Sequence, residues 1–75
     1  MSERLPRVTE AQVLRALHRD GWYVDRQGGH TILRHPSKSG IVPVPRHRGK
    51  TLKPGTIERI LELAGLTRDQ FRALL

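Results

Sequence analysis

The stretch from Trp22 to Val44 constrains the fold most, because β-forming residues alternate there with turn signals. Three β-prone segments read WYVDRQ, HTILRH and IVPV, and they are separated by a Gly-Gly pair and by the sequence PSKSG. Short segments of this kind predict a meander of three antiparallel strands. Proline has no amide hydrogen to donate to a neighbouring strand, so Pro43 predicts that the third strand lies at a sheet edge or carries a bulge.

A helix signal precedes this stretch. Thr9 and Gln12 have capping-box spacing and are followed by an apolar stripe, which predicts a helix that runs to about Asp20. Gly21 suits the C-terminal end of that helix. Residues 1–7 show no periodicity, and we expect them to form a loose lead-in to a single domain spanning residues 1–75.

Helix signals also follow the β-prone stretch. Pro54 opens an apolar stripe at i, i+3, i+4 and i+7 that ends at Gly65, and Thr67 with Gln70 repeats the capping-box pattern. The predicted order is α-β-β-β-α with a short extra C-terminal helix. This predicts an α+β fold, with a three-stranded antiparallel sheet, helices on one face and the other face open to solvent. The double-stranded-RNA-binding domain is one fold with this order.

Size and composition exclude several classes of protein. Seventy-five residues bury only a thin core, which excludes a two-domain enzyme and favours a monomer of modest stability. The sequence has neither an apolar run of the roughly 18 residues that cross a bilayer nor a secretory leader, so we expect a cytoplasmic protein with no membrane partner. The absence of cysteine excludes disulfides, thiolate nucleophiles and sulfur-ligated zinc.

The formal net charge of +7 is concentrated in one block. Between Arg26 and Ile57 the chain has seven cationic and no acidic residues, whereas the flanks hold seven of each sign. A block this one-sided favours a polyanionic partner, nucleic acid first and an anionic membrane surface second, although solubility alone is the simpler explanation. The block contains no long basic amphipathic helix, which disfavours the membrane.

His30 is the candidate catalytic residue. It follows Gly28-Gly29, where bare backbone lets a ligand approach closely, and it opens a strand that would hold the imidazole in place. Histidine side chains exchange protons near neutral pH, which suits an acid or base acting on a ribose 2′-hydroxyl. The simpler alternative is that the glycines form a hairpin turn and His30 only follows it.

The remaining histidines have weaker signals. His18 is most simply a surface residue of the first helix, and His35 is either a turn residue or a phosphate donor. A metal site built from His30, His35 and His47 is disfavoured by irregular spacing and by the lack of any carboxylate in the block. The glycines form no nucleotide-binding fingerprint. We therefore expect neither a metal nor a cofactor.

Several short motifs occur in an order and spacing that resembles the HicA family of bacterial toxins, which are mRNA interferases. The resemblance covers the chain from about Val8 to the C-terminus. The motifs are Gly21-Trp22, Arg26-Gln27-Gly28-Gly29-His30, His35-Pro36, Val44-Pro45, Gly49-Lys50, Leu52-Lys53-Pro54-Gly55-Thr56, Ile60-Leu61 and Ala64-Gly65-Leu66.

The resemblance implies a double-stranded-RNA-binding-like fold and a metal-independent endoribonuclease that cleaves mRNA and inhibits translation and growth. It also implies a HicB-like antitoxin that covers the active site, and it gives the catalytic role to His30. The residues expected to contact RNA are Gly28, Gly29, Arg26, Arg34, Lys38, Arg46, His47, Lys50 and Lys53.

The sequence leaves alternatives for three features of the expected site and its function. Arg34 and Lys53 are candidates for stabilising the charge that develops on phosphorus. His35, His47 and Tyr23 are candidates for the second acid/base group. A non-catalytic RNA- or DNA-binding module with the same basic surface is the alternative function, and cleavage of RNA separates the two.

Overall fold

The computed structural model describes residues 5–75. Positions 1–4 of the expected lead-in, residues 1–7, therefore lie outside the described residues. In the part that the structure describes, Leu5 packs against the core. The elements in chain order are α1 (Glu10–Arg19), β1 (Tyr23–Gln27), β2 (His30–Arg34), β3 (Val42–Pro45), α2 (Pro54–Ala64) and α3 (Arg68–Leu74). This order, with one three-stranded antiparallel sheet, confirms the predicted α+β fold class.

The predicted capping boxes begin α1 and α3. The Thr9 hydroxyl accepts a hydrogen bond from the backbone N–H of Gln12 at 3.3 Å, and the side-chain oxygen of Gln12 accepts one from the backbone N–H of Thr9 at 2.9 Å. Thr67 and Gln70 repeat this exchange at 3.0 and 2.8 Å. Two backbone N–H groups that the helix cannot satisfy are paired in each case, which confirms both predicted helix starts.

The strands lie in the order β1-β2-β3, so the prediction that the third strand lies at an edge is confirmed. Pro43 pairs with Ile32 in an unbroken register. The irregularity in the sheet falls instead in β1, between Val24 and Arg26. Because an edge strand needs amide donors on one side only, Pro43 fits β3 without a bulge.

The core lies between the helices and one face of β2 and β3. Thr31 and Leu33 of β2 and Val42 and Val44 of β3 are buried, while the alternate residues of both strands are half-buried or exposed. Both α1 and α2 contact β3, whereas every residue of β1 is exposed. The helices therefore cover β2 and β3 on one side, and the opposite face of the sheet is open.

None of the helices formed by residues 5–75 is both long and apolar enough to cross a membrane.

Candidate functional site

The β1–β2 hairpin presents His30 at the surface. His30 is exposed as the first residue of β2, and the Gly28 amide donates to its carbonyl oxygen at 3.0 Å. Neither Gly28 nor Gly29 has a φ in the left-handed region, and a Cβ placed on either would meet no atom within 4 Å. The turn therefore has no need of glycine for its own geometry. What the glycines leave is uncovered backbone beside the imidazole.

Strand pairing brings residues 46–53, the basic loop between β3 and α2, next to His30. Pro45, the last residue of β3, lies opposite His30, and Arg46 follows it directly. The Arg46 guanidinium donates to the Gly28 carbonyl oxygen at 3.4 Å. His47, Lys50 and Lys53, which are predicted RNA contacts, continue this loop towards α2 together with Arg48, and all four side chains are exposed. The register of β2 and β3 thus joins two parts of the sequence into one cationic surface.

Backbone contacts fix this loop to the body of the protein. The His47 amide donates to a carboxylate oxygen of Glu10 in the first turn of α1 at 2.9 Å. Near the other end of the loop, the Leu52 amide donates to the Val8 carbonyl oxygen at 2.8 Å, beside an isolated bridge between Thr9 and Thr51. The loop is therefore held at both ends, and its cationic side chains project from an anchored backbone.

Arg26 and Arg34 have an acidic neighbour. The Asp25 carboxylate lies 3.3 Å from Arg34 Nε and 3.7 Å from Arg26 Nε. Arg34 ends β2, four residues and about 13 Å of extended strand from His30. Asp25 thus offsets part of the positive charge on the open face, and Arg34 lies at the far end of the strand from the imidazole.

Lys38 lies in a different part of the molecule. Its ammonium donates to the Asp20 carboxylate at 2.8 Å and to the Ala64 carbonyl oxygen at 2.9 Å, and it sits 5.9 Å from the ring centre of Trp22. These partners belong to the C-terminal end of α1, the C-terminal end of α2 and the core. Lys38 therefore connects three parts of the fold and is separated from the cations around His30.

His35 is also held by the fold. Its Nδ1 accepts from the Ser37 amide at 3.0 Å, so its Nε2 carries the proton donated to the Asp20 carbonyl oxygen at 2.6 Å. The ring meets Trp22 edge-on, with centroids 5.1 Å apart. A Cβ on Gly21, whose φ is 105°, would lie 2.6 Å from Nε2. Because both ring nitrogens have backbone partners, His35 has no free position for proton transfer.

The other two candidates for the second acid/base group lie at opposite ends of the sheet. Tyr23 pairs with Arg34 and is therefore distant from His30 along β2. His47 is exposed and follows Arg46, which contacts the His30 turn. Of the three predicted candidates, His47 is the one that the fold brings towards His30. Within residues 5–75 no three His, Asp or Glu side chains are grouped closely enough to hold a metal ion.

An open groove of about 590 Å³ lies between β3 and α2, and His30 forms part of its wall. Further lining residues are Pro43 and Pro45 on the sheet and Thr56, Arg59 and Leu63 on α2. Neither Thr56 nor Arg59 is predicted from the sequence as a site residue. The available signal is helical spacing, because both residues precede members of the buried stripe by one position and so flank it.

Comparison with known proteins adds a family to this geometry. The family model described as "HicA toxin of bacterial toxin-antitoxin" matches residues 11–66, a range that extends from α1 through the sheet to just beyond α2. The search of curated proteins finds no match. The matched range includes the hairpin, His30 and the anchored basic loop. Since the model matches most of the chain, this protein belongs to the HicA family and is a toxin of a bacterial toxin–antitoxin system.

Proposed function

We propose that this toxin is an mRNA interferase, a metal-independent endoribonuclease in which His30 is the catalytic residue. The observation that carries the proposal is the position of His30, exposed beside uncovered glycine backbone and next to the Arg46 end of an anchored cationic loop. An RNA backbone laid along this loop would bring its phosphates to the imidazole. The membership of the chain in a toxin family supports cleavage of RNA over RNA binding alone.

The proposed reaction needs proton transfer and charge stabilisation. The ribose 2′-oxygen attacks the adjacent phosphorus and loses its proton, while the 5′-oxygen leaves and gains one, which gives a 2′,3′-cyclic phosphate and a 5′-hydroxyl end. His30 acts as the base for the 2′-hydroxyl or as the acid for the 5′-oxygen. Arg46 and Lys53 supply positive charge for the phosphoryl oxygens. His47 is the first residue to test as the second acid/base group.

The family also points to a protein partner. A toxin of a toxin–antitoxin system has a cognate antitoxin, and we propose a HicB-like protein that binds over His30 and the basic loop. An acidic surface on that partner would match the cationic side chains of the loop. The free toxin is proposed to be a monomer that acts on mRNA in the cytoplasm.

The test is cleavage of a mixed mRNA pool by the purified protein in the presence of EDTA. Wild type should produce fragments with cyclic phosphate ends, whereas His30→Ala should lose roughly 10²- to 10⁴-fold in rate, the usual contribution of a positioned acid or base. His30→Ala should still retain RNA in a gel-shift assay, because the cationic loop is intact.

His18→Ala is the matched control, since His18 is an exposed histidine on α1 outside the site. It should cleave like wild type. If wild type binds the RNA and leaves it intact, the protein is a binding module and the proposed nuclease activity is wrong. If His30→Ala cleaves as fast as wild type, a different residue is catalytic.

A further inference from the structure

The groove between β3 and α2 has a composition that the cleavage chemistry alone does not explain. Pro43 and Pro45 occupy alternate positions of β3 and are half-buried, so their rings form an apolar wall on the side of the strand that also faces Ile32 and His30. Leu63 adds apolar surface from the opposite side and is likewise half-buried. An apolar wall next to the exposed imidazole of His30 provides a surface for something other than phosphate.

The helix side of the groove adds polar groups at helical spacing. Thr56, Arg59 and Leu63 stand at i, i+3 and i+7 of α2 and therefore share one face. Arg59 forms an ion pair with Glu62, which does not line the groove. That exposed pairing offsets part of the charge of Arg59. Its planar guanidinium is the group of this residue that would stack on a flat ligand. Thr56 contributes a hydroxyl that both donates and accepts hydrogen bonds.

We propose that this groove binds one unstacked nucleobase of the RNA substrate and so gives the toxin a base preference near the cleavage site. The proposal rests on the proposed ribonuclease function and names the part of the site that would read sequence. Sequence-specific proteins hold splayed RNA bases against flat or apolar side chains, arginine planes included, and bond to the base edges. The volume of about 590 Å³ lies within the roughly 300 to 1,000 Å³ of small-molecule sites.

The position of His30 in the wall of the groove determines which nucleotide of the RNA strand the groove would hold. His30 lines the groove and the reaction site together, so a base in the groove belongs to a nucleotide adjoining the phosphate that is cleaved. The cations of the basic loop lie beyond Pro45 and hold the backbone of the same strand. Phosphate contacts then position the RNA, while the groove contacts discriminate among bases.

The test measures binding of four 2′-O-methyl hexaribonucleotides, one for each base, by fluorescence anisotropy. These probes lack the free 2′-hydroxyl that the proposed cleavage needs. Binding can therefore be measured without cleavage on protein that retains His30. Wild type should prefer one hexamer over the poorest by roughly tenfold, the size of a single base contact. Arg59→Lys, which keeps the charge and removes the flat guanidinium, should reduce that ratio to about twofold or less. Leu63→Ala should do the same.

Matched controls separate this effect from loss of charge or packing. Arg15→Lys makes the same substitution on α1, where Arg15 lines a different cavity. Leu14→Ala removes a half-buried leucine that packs against the core from α1. Both should keep the base preference of wild type. If all four hexamers bind wild type equally, or if Arg59→Lys keeps the preference, the groove does not read a base.

Cleavage of a randomised RNA by the same variants distinguishes failure of the subsite from failure of the proposed function. Cleavage with a base preference that changes in Arg59→Lys supports both proposals. Cleavage with an unchanged preference overturns the subsite and leaves the nuclease. If RNA stays intact but the hexamer ranking depends on Arg59, the base-binding groove stands and the nuclease activity is wrong.

Discussion

At the scale of single residues, Lys38 is a cation whose partners lie within the fold. Its ammonium lies between the Asp20 carboxylate and the Ala64 carbonyl oxygen, and its side chain is 35% exposed. A cation at the C-terminal end of α2 also meets the negative end of the helix dipole. The sequence places Lys38 in the basic block and predicts RNA contact, whereas the structure gives it structural partners.

Lys38→Met tests this role, because methionine keeps the apolar part of the side chain beside Trp22 and loses the ammonium. We expect the free energy of unfolding to fall by about 1–2 kcal/mol, the cost of two lost charge-assisted hydrogen bonds at a partly exposed site. Urea unfolding measures the loss. Lys50→Met, in the exposed loop, should leave stability within about 0.5 kcal/mol and weaken RNA binding. If Lys38→Met unfolds like wild type and weakens RNA binding as Lys50→Met does, Lys38 is an RNA contact.

His35 provides the second test at this scale. Both of its ring nitrogens are paired with backbone groups, so His35→Ala should lower the free energy of unfolding by about 1–3 kcal/mol. The cleavage rate of His35→Ala should stay within about tenfold of wild type under conditions in which circular dichroism shows that the variant is fully folded. A loss of 10²-fold or more at full folding would instead identify His35 as the second acid/base group.

At the scale of elements, the β1–β2 hairpin and the end of α2 use glycine for different reasons. Gly65 ends α2 with φ 70°, a conformation that only glycine adopts without strain. Gly29 has no such φ and no neighbour near its missing Cβ. The glycine at the helix end serves the backbone, and the one beside His30 leaves room for a ligand.

Alanine substitutions at the two positions should therefore have opposite effects. Gly29→Ala should leave the free energy of unfolding unchanged or raise it by up to about 1 kcal/mol, and should weaken RNA cleavage, because a methyl group then covers the backbone beside His30. Gly65→Ala should lower stability by about 1–2 kcal/mol and leave the cleavage rate of folded protein unchanged. Thermal unfolding and initial cleavage rates measure the two effects. Normal cleavage by Gly29→Ala would show that substrate does not approach this backbone.

The elements are also where sequence reasoning is most successful. The structure confirms the capping boxes at Thr9 and Thr67 and the edge position of β3 that Pro43 predicts. Each of these predictions depends on groups within a few residues of one another. Such signals are local, so their physical consequences are visible in the sequence. The glycine pair before His30 is a signal of the same kind, and it predicts the strand that the structure shows to begin at His30.

At the scale of the whole molecule, the site depends on contacts that local signals do not encode. Arg46 reaches Gly28 because β3 pairs with β2, and Arg59 reaches the groove because α2 packs beside β3. Lys38 meets Ala64 across 26 positions of the chain. A count of cations along the sequence therefore predicts a polyanionic partner, yet it does not separate cations that face the partner from those that hold the fold.

Asp25 is the acidic residue between Arg26 and Arg34 on the open face of the sheet. Its carboxylate pairs with both arginines and repels phosphate, so Asp25→Asn should increase the affinity for single-stranded RNA about two- to fivefold at low salt. The gain should shrink between roughly 50 and 200 mM salt, because ions screen exposed charges and the slope of log affinity against log salt should steepen by about 1. Fluorescence anisotropy across this range measures both.

Asp69→Asn is the matched control for Asp25→Asn, because it raises the net charge of +7 by the same single unit but changes a residue of α3 that is 94% exposed. If net charge alone governs RNA binding, the two variants should gain affinity equally. If the open face of the sheet contacts RNA, Asp25→Asn should gain clearly more. Equal gains would mean that Arg26 and Arg34 lie outside the RNA interface, and the binding surface would then be limited to the Gly28–His30 turn, the basic loop and the groove beside α2.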